Sequence, residues 1–142
     1  MPDEQVAAFS SYPSSTGDAK VEVTLTNGST GAVNNAQTAT IKFAPLVIGE
    51  MYIVDSVFVN NIVGKVCTVA VHIEVVGGEG ALAGNKRDSK TYAGTEAFGG
   101  YIGGVAAHTP SYITILNSSG GALTYSFVAT ISGRVSITTS VA

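Results

Sequence analysis

Apolar and polar residues alternate along much of the chain, and this period of two predicts β-strands. The clearest case runs from Leu123 to Ile131, where five apolar side chains share one face. The segment 112–116 is rich in β-branched and aromatic residues, and turn residues fill 117–121. We therefore expect a long β-hairpin over these segments, followed by one more strand over 135–138.

Further strands are predicted earlier in the chain. Segments 20–26, 38–43 and 67–75 each have one apolar face, which is typical of a half-buried strand. Segment 51–59 is apolar on both faces, so both faces should be covered, either inside the domain or by a partner. Asn27-Gly28 follows the first of these strands and predicts a turn, because both residues tolerate positive φ.

Seven to nine strands separated by Gly and Asn turns predict an all-β protein, an antiparallel β-sandwich with jelly-roll topology. No segment has a helical period. Residues 1–18 have no periodic pattern and are interpreted as an extended N-terminal arm, whereas residues 19–142 form the β-sandwich domain. The arm has three spaced apolar side chains with which to dock on a neighbour, Val6, Phe9 and Tyr12.

The chain has few charged residues, and this limits the classes of partner that it is expected to bind. Charged residues make up 12% of the 142 residues, about half the usual share, and charges are depleted from interface cores. The net charge is −3 and the only basic cluster is Lys86-Arg87, which argues against a nucleic-acid partner. No apolar run approaches the roughly 20 residues of a membrane span, and the start of the chain does not read as a signal peptide. We expect no membrane partner and accumulation in the cytoplasm of the producing cell.

Side chains that usually support catalysis or bind metals are few. Cys67 lies on the apolar face of its strand and is expected to be buried and inert. His72 and Glu74 share the opposite face, where they could hydrogen-bond, but a zinc site requires three or four ligands. Asp55 lies among apolar residues and needs a partner, for which Lys65 is the candidate. We predict no metal site and no enzyme activity.

Two glycine-rich segments have the composition of ligand-binding loops. Residues 78–83 match a variant dinucleotide fingerprint, but no helix follows them, so we interpret them as a turn and predict no cofactor. Residues 92–104 place Tyr92, Phe98 and Tyr101 among glycines. These rings could anchor a protein interface, stack on a sugar, or cap the open end of the sandwich, and all three interpretations stay open.

In overall character the chain resembles the small β-sandwich proteins of tailed-phage and related virions, either head decoration (cement) proteins or single jelly-roll capsid subunits. The features that carry the resemblance are the arm, the Ser/Thr/Gly-rich strands and the final segment 112–138. The chain departs from the best-known decoration proteins in its more regular β pattern. The resemblance implies a structural virion protein, assembled in the host cytoplasm, that stabilises the shell. It also implies a homotrimer or another symmetric oligomer, in contact with the major capsid protein or other virion subunits.

The alternative is a carbohydrate-binding β-sandwich module, from a tail fibre or a lectin-like protein, that uses the loop 92–104. The missing secretion signal counts against it, since glycans are mostly met outside the cell. For the structural interpretation the predicted interface residues come from the arm and from this loop: Val6, Phe9, Tyr12, Tyr92, Phe98 and Tyr101.

Overall fold

The computed structural model is all-β, with eleven strands in the part of the chain that it describes. No helix in that part is long and apolar enough to cross a membrane. The described residues are 3–6, 9–13, 20–60, 65–75, 78, 80, 82, 86–96 and 98–142, with 3–6, 9–13, 20–27, 98 and 102 described by their backbone. The strands are β1 (Asp3–Val6), β2 (Phe9–Pro13), β3 (Lys20–Val33), β4 (Thr38–Pro45), β5 (Tyr52–Asn60), β6 (Cys67–His72), β7 (Asp88–Tyr92), β8 (Phe98–Ala107), β9 (Ser111–Asn117), β10 (Leu123–Ser132) and β11 (Val135–Val141).

Two antiparallel sheets make up the fold. Their strand orders are β1-β11-β4-β9-β6-β7 and β2-β3-β10-β5-β8. The chain changes sheet at each step from β3 to β6 and again from β7 to β11, and β1 pairs with β11. This connectivity is that of a jelly roll, with β6 and β7 extending one sheet. The predicted all-β antiparallel sandwich is confirmed.

The core lies between the two sheets, and the period-two pattern decides which side chains enter it. In β10, Tyr125, Phe127 and Ile131 are at most 1% exposed, whereas the alternate residues Ser126 and Thr130 are partly exposed. The other sheet supplies side chains of the same kind to the facing layer. The largest of these are Ile41, Phe43, Ile113, Ile115 and Ile137.

The predicted hairpin over 112–131 is wrong. β9 pairs with β4 and β6 in one sheet, whereas β10 pairs with β3 and β5 in the other. The connection between β9 and β10 is organised by the buried side chain of Asn117, whose amide donates to the carbonyl oxygens of Val33 and Gly121, both at 2.8 Å. Its carbonyl oxygen accepts the backbone N–H of Ser119 at 2.9 Å. The turn residues therefore surround a side-chain amide and take the chain across the sandwich.

The turn predicted at Asn27-Gly28 is also wrong, because both residues lie inside the long strand β3. Gly28 pairs with Phe127 of β10, and the Phe127 ring lies against the Gly28 backbone. A Cβ atom at this position would come closer than 3.0 Å to three atoms of the ring. Glycine is needed here for close packing and not for a reversal of the chain.

Two parts of the segment predicted as an arm belong to the sheets. β1 pairs with β11 and β2 pairs with β3, so each is an edge strand of a different sheet. Both are extended, as expected of an arm, but their partners are strands of the same chain. The boundary at residue 18 stays a prediction.

Candidate functional site

The tyrosines of the predicted loop 92–104 are buried, and residues 98–104 of this segment belong to strand β8 instead of a loop. Tyr92 ends β7 and is 6% exposed, and its ring lies on Gly99 of β8, in the opposite sheet. Tyr101 is 8% exposed and its ring lies over Gly103 of its own strand. Both side chains belong to the hydrophobic core, and Tyr92 closes the sandwich where β7 faces β8. These are the positions that the capping interpretation requires.

The remaining predicted interface residues are placed by their backbone. Val6 lies in β1, Phe9 and Tyr12 lie in β2, and Phe98 begins β8. β1 and β2 are at one edge of their sheets, and β7 and β8 are at the opposite edge. The arm and the aromatic loop are therefore not brought together into one surface. The interface role of these four side chains stays a prediction.

Asp55 and Lys65 do not form the predicted pair. The Ser132 hydroxyl donates to Asp55 Oδ2 at 2.7 Å, and Lys65 Nζ donates to the Thr124 carbonyl oxygen at 3.0 Å. Asp55 lies on β5 and Ser132 on the neighbouring strand β10. A hydroxyl on the adjacent strand was therefore the nearer donor, and strand pairing was needed to identify it.

His72 and Glu74 also have partners other than each other. His72 Nδ1 lies 2.8 Å from the Leu82 carbonyl oxygen. A carbonyl oxygen can only accept a hydrogen bond, so Nδ1 is the donor. His72 is 3% exposed, and burial lowers its pKa, an effect that the bond to Leu82 opposes. Glu74 Oε1 accepts the backbone N–H of His108 at 3.0 Å and lies 3.3 Å from its Nδ1.

Neither a metal site nor a reactive thiol is found among the described residues. No group of three or more His, Cys, Asp or Glu side chains there could hold a metal ion. Cys67 is fully buried, and burial raises the pKa of its thiol to about 11, with the Glu96 carboxylate adding to the effect. A thiol with this pKa is almost entirely protonated at neutral pH and is a poor nucleophile.

The most exposed apolar surface is the connection between β4 and β5, which we call the apolar turn (residues 46–51). Five large hydrophobic residues are exposed in the described part of the chain, and four of them lie here. The fifth is on β9. The four are Leu46 at 44%, Val47 at 50%, Ile48 at 99% and Met51 at 53% exposure.

The apolar turn has a defined conformation. Glu50 N–H donates to the Val47 carbonyl oxygen at 3.0 Å, and Gly49 has φ +80°, as at the third position of a type II turn. Arg134 binds Glu50 through two bonds, Nε to Oε1 at 2.9 Å and Nη2 to Oε2 at 2.5 Å. The Leu46 N–H donates to the Arg134 carbonyl oxygen at 3.1 Å. The hydrogen bond from Arg134 also lowers the pKa of Glu50. Ile48 therefore lies at the tip of a turn held by hydrogen bonds, and the opposite charges of Glu50 and Arg134 at this turn neutralise each other.

The sequence carries a signal for this surface outside the predicted strands. The predicted strands end at 43 and resume at 51, and the residues between them include Leu46, Val47 and Ile48 beside Gly49. Turns are usually polar, because they lie at the surface. Three consecutive large apolar residues in a connection between strands therefore indicate either a buried loop or a binding surface.

No family model and no curated protein matches the chain. Several solved structures are similar to it, including the following two. One is the Yersinia pseudotuberculosis-derived mitogen, with 16% identity, TM-score 0.44, and coverage of 74% of this chain and 83% of that chain. The other is the CBM32 of AlyQ in complex with 4,5-unsaturated mannuronic acid, with 17% identity, TM-score 0.47, and coverage of 69% and 74%. Neither likeness assigns the chain to a family.

Proposed function

We propose that this chain is a structural subunit that binds neighbouring protein subunits, with the apolar turn as its contact. The observation that carries the proposal is Ile48, which is 99% exposed at the tip of a turn fixed by hydrogen bonds. Removing apolar surface from water contributes roughly 25 cal/mol per Å². A side chain held in place before binding also loses little conformational freedom on docking.

The neighbours in this proposal are copies of the same chain in a homotrimer. The trimer rests on the resemblance to virion β-sandwich proteins; in it the turn would contact a different surface of the next subunit, and such head-to-tail contacts can close into a ring. Only 12% of the residues are charged, which suits a subunit whose surface is shared with others. A lipid surface is a poorer match, because the Arg134 charge at the turn is already neutralised by Glu50.

We propose further that the trimer is a virion component that decorates or helps to build a capsid, in contact with the major capsid protein. This step rests on the resemblance to virion β-sandwich proteins. The contact area that a subunit adds across joints of the shell would oppose the pressure of packaged DNA. No catalytic role is proposed. The carbohydrate-binding alternative is weaker, because Tyr92 and Tyr101 are too buried to offer a ring face to a sugar.

The test compares Ile48→Asp with Ala122→Asp by light scattering and sedimentation. Ala122 is exposed in the connection between β9 and β10, so it controls for the added charge. We expect wild type and Ala122→Asp to have a mass of three chains or a multiple of three, and Ile48→Asp to fall below three chains. Compared at a dilution at which every form is monomeric, both variants should keep the wild-type free energy of unfolding within about 0.5 kcal/mol, because both sites lie at the surface of the single chain.

Two results would contradict the proposal. One is a wild-type protein that stays monomeric at every concentration, and the other is an Ile48→Asp variant with the wild-type mass. Binding of wild type but not Ile48→Asp to neutral vesicles would assign the turn to a membrane instead. The virion step is tested separately, by immunogold labelling of producing cells, where label away from capsids would contradict it.

A further inference from the structure

The two sheets have four edge strands in the described part of the chain, and three of them have features that discourage pairing with another chain. Edge strands expose unpaired N–H and C=O groups, and short length, charge or proline usually protects them. β1 has only four residues, two of them acidic. β2 has five residues and ends in a proline. β7 has an acidic and a basic residue among five.

β8 is the fourth edge and lacks these protections. It is ten residues long, Phe98–Ala107, and contains neither a charged residue nor a proline. One side of β8 pairs with β5, and no described strand pairs with its other side. Its glycines at 100, 103 and 104 and Ala106 are exposed, so little side-chain bulk would separate this edge from an approaching backbone.

A bulge twists β8 locally but leaves the strand able to pair with another strand. Two residues of β8 face Asp55 alone, because the register runs from Val54–Val105 to Ser56–Ile102. Gly104 has φ +59°, the left-handed conformation that glycine adopts readily in a bulge. Bulges can divert an edge from pairing, but here the strand on either side of the bulge stays in the ladder with β5.

We infer that β8 is the contact between two copies of this chain, paired antiparallel across a two-fold axis. Each five-stranded sheet that ends in β8 would then become half of a continuous ten-stranded sheet. The partner is a second copy because two β8 strands are compatible with each other. Neither of the two strands carries a charged residue, so no like charges meet across the axis. An extended peptide is the other possible occupant of such an edge. β8 adjoins the apolar turn only at its Ala107 end, where Ala107 pairs with Tyr52, and its contact uses the free strand edge instead of the turn. It therefore goes beyond the proposed trimer and would join two trimers.

The experiment uses the Ile48→Asp variant, so that association through the apolar turn does not contribute. Amide hydrogen exchange is measured over a wide range of protein concentration, together with mass by sedimentation. We expect a mass that rises from one chain to two, with protection of β8 amides that increases over the same range. Adding Ala106→Lys, which places a charge on the exposed face of β8, should weaken this dimer at least tenfold. Adding Ala122→Lys, in an exposed connection, should leave it unchanged.

Each result bears on one proposal. A dimer whose β8 amides gain no protection would overturn the β8 contact, and so would a dimer that Ala106→Lys does not weaken. An Ile48→Asp protein that stays monomeric at every concentration would also overturn it, while leaving the trimer through the apolar turn intact. Protection of β8 that appears only on adding an extended peptide would assign the edge to that ligand instead.

Discussion

Replacement of Gly28 by alanine tests the packing that the structure assigns to β3. In most strand positions alanine is better than glycine, because it reduces the conformational freedom of the unfolded chain, an effect worth about 0.4 to 1 kcal/mol. At Gly28 the new methyl group would come closer than 3.0 Å to three atoms of the Phe127 ring. Phe127 is 1% exposed and lies in the core, so the ring has little room to move.

Overpacking of this kind typically costs about 1 to 3 kcal/mol, which exceeds the gain from the unfolded state. We expect Gly28→Ala to lower the free energy of unfolding by about 1 to 2 kcal/mol. The matched control is Gly121→Ala, since a Cβ there meets no atom within 4 Å. The control should be neutral, or stabilising by up to about 1 kcal/mol.

The measurement is urea unfolding, with the midpoint and the slope fitted separately, because a change in midpoint at constant slope is a change in stability. A double-mutant cycle with Phe127→Leu identifies the clash. In the Phe127→Leu background the alanine should cost at least about 0.5 kcal/mol less than in wild type, because the contacting ring atoms are gone. Equal stability of Gly28→Ala and Gly121→Ala, or a cycle without coupling, would show that the alanine does not clash with the Phe127 ring.

Two further predictions concern buried polar groups. Tyr52→Phe removes a hydroxyl that donates to the Thr109 carbonyl oxygen at 2.6 Å and lies 2.7 Å from Ser111 Oγ, so it should cost about 1 to 3 kcal/mol in urea unfolding at pH 8. Burial raises the pKa of Tyr52 from 10.0 to about 12, so the neutral hydroxyl stabilises the fold below pH 10 and this stabilisation is lost as the pH rises to 12. The free energy of unfolding of Tyr52→Phe should therefore fall less steeply than that of wild type between pH 10 and 12. An equally steep fall would contradict this. Cys67 should react with a thiol reagent at pH 8 only in urea, one thiol per chain, and rapid reaction of the folded protein would show that it is not buried.

The alternation of the sequence predicted the strands well because burial alone determines it. The apolar face of β10 and the inward residues of β4 follow directly from the period of two. The same pattern says which face of a strand is buried but not which strand lies beside it. β9 and β10 look like a hairpin for this reason, although Asn117 takes the connection from one sheet to the other.

The candidate surface was harder to predict, because exposure depends on the whole fold. Tyr92 and Tyr101 have the composition of a binding loop, but glycines 99 and 103 turn out to accommodate their rings inside the sandwich. Ile48 could equally have been a buried residue in a connection between strands. Only the packed structure shows that nothing in the described part of the chain covers it.

The position of the last two strands has a consequence for how the protein is made. β10 lies between β3 and β5, and β11 lies between β1 and β4, so strands made early need partners that are made about a hundred residues later. Before β10 and β11 have been synthesised, neither sheet can be completed. Pairing between such distant segments is also slow. Completion of the two sheets is therefore a late step in folding, because it requires β11, which ends at Val141.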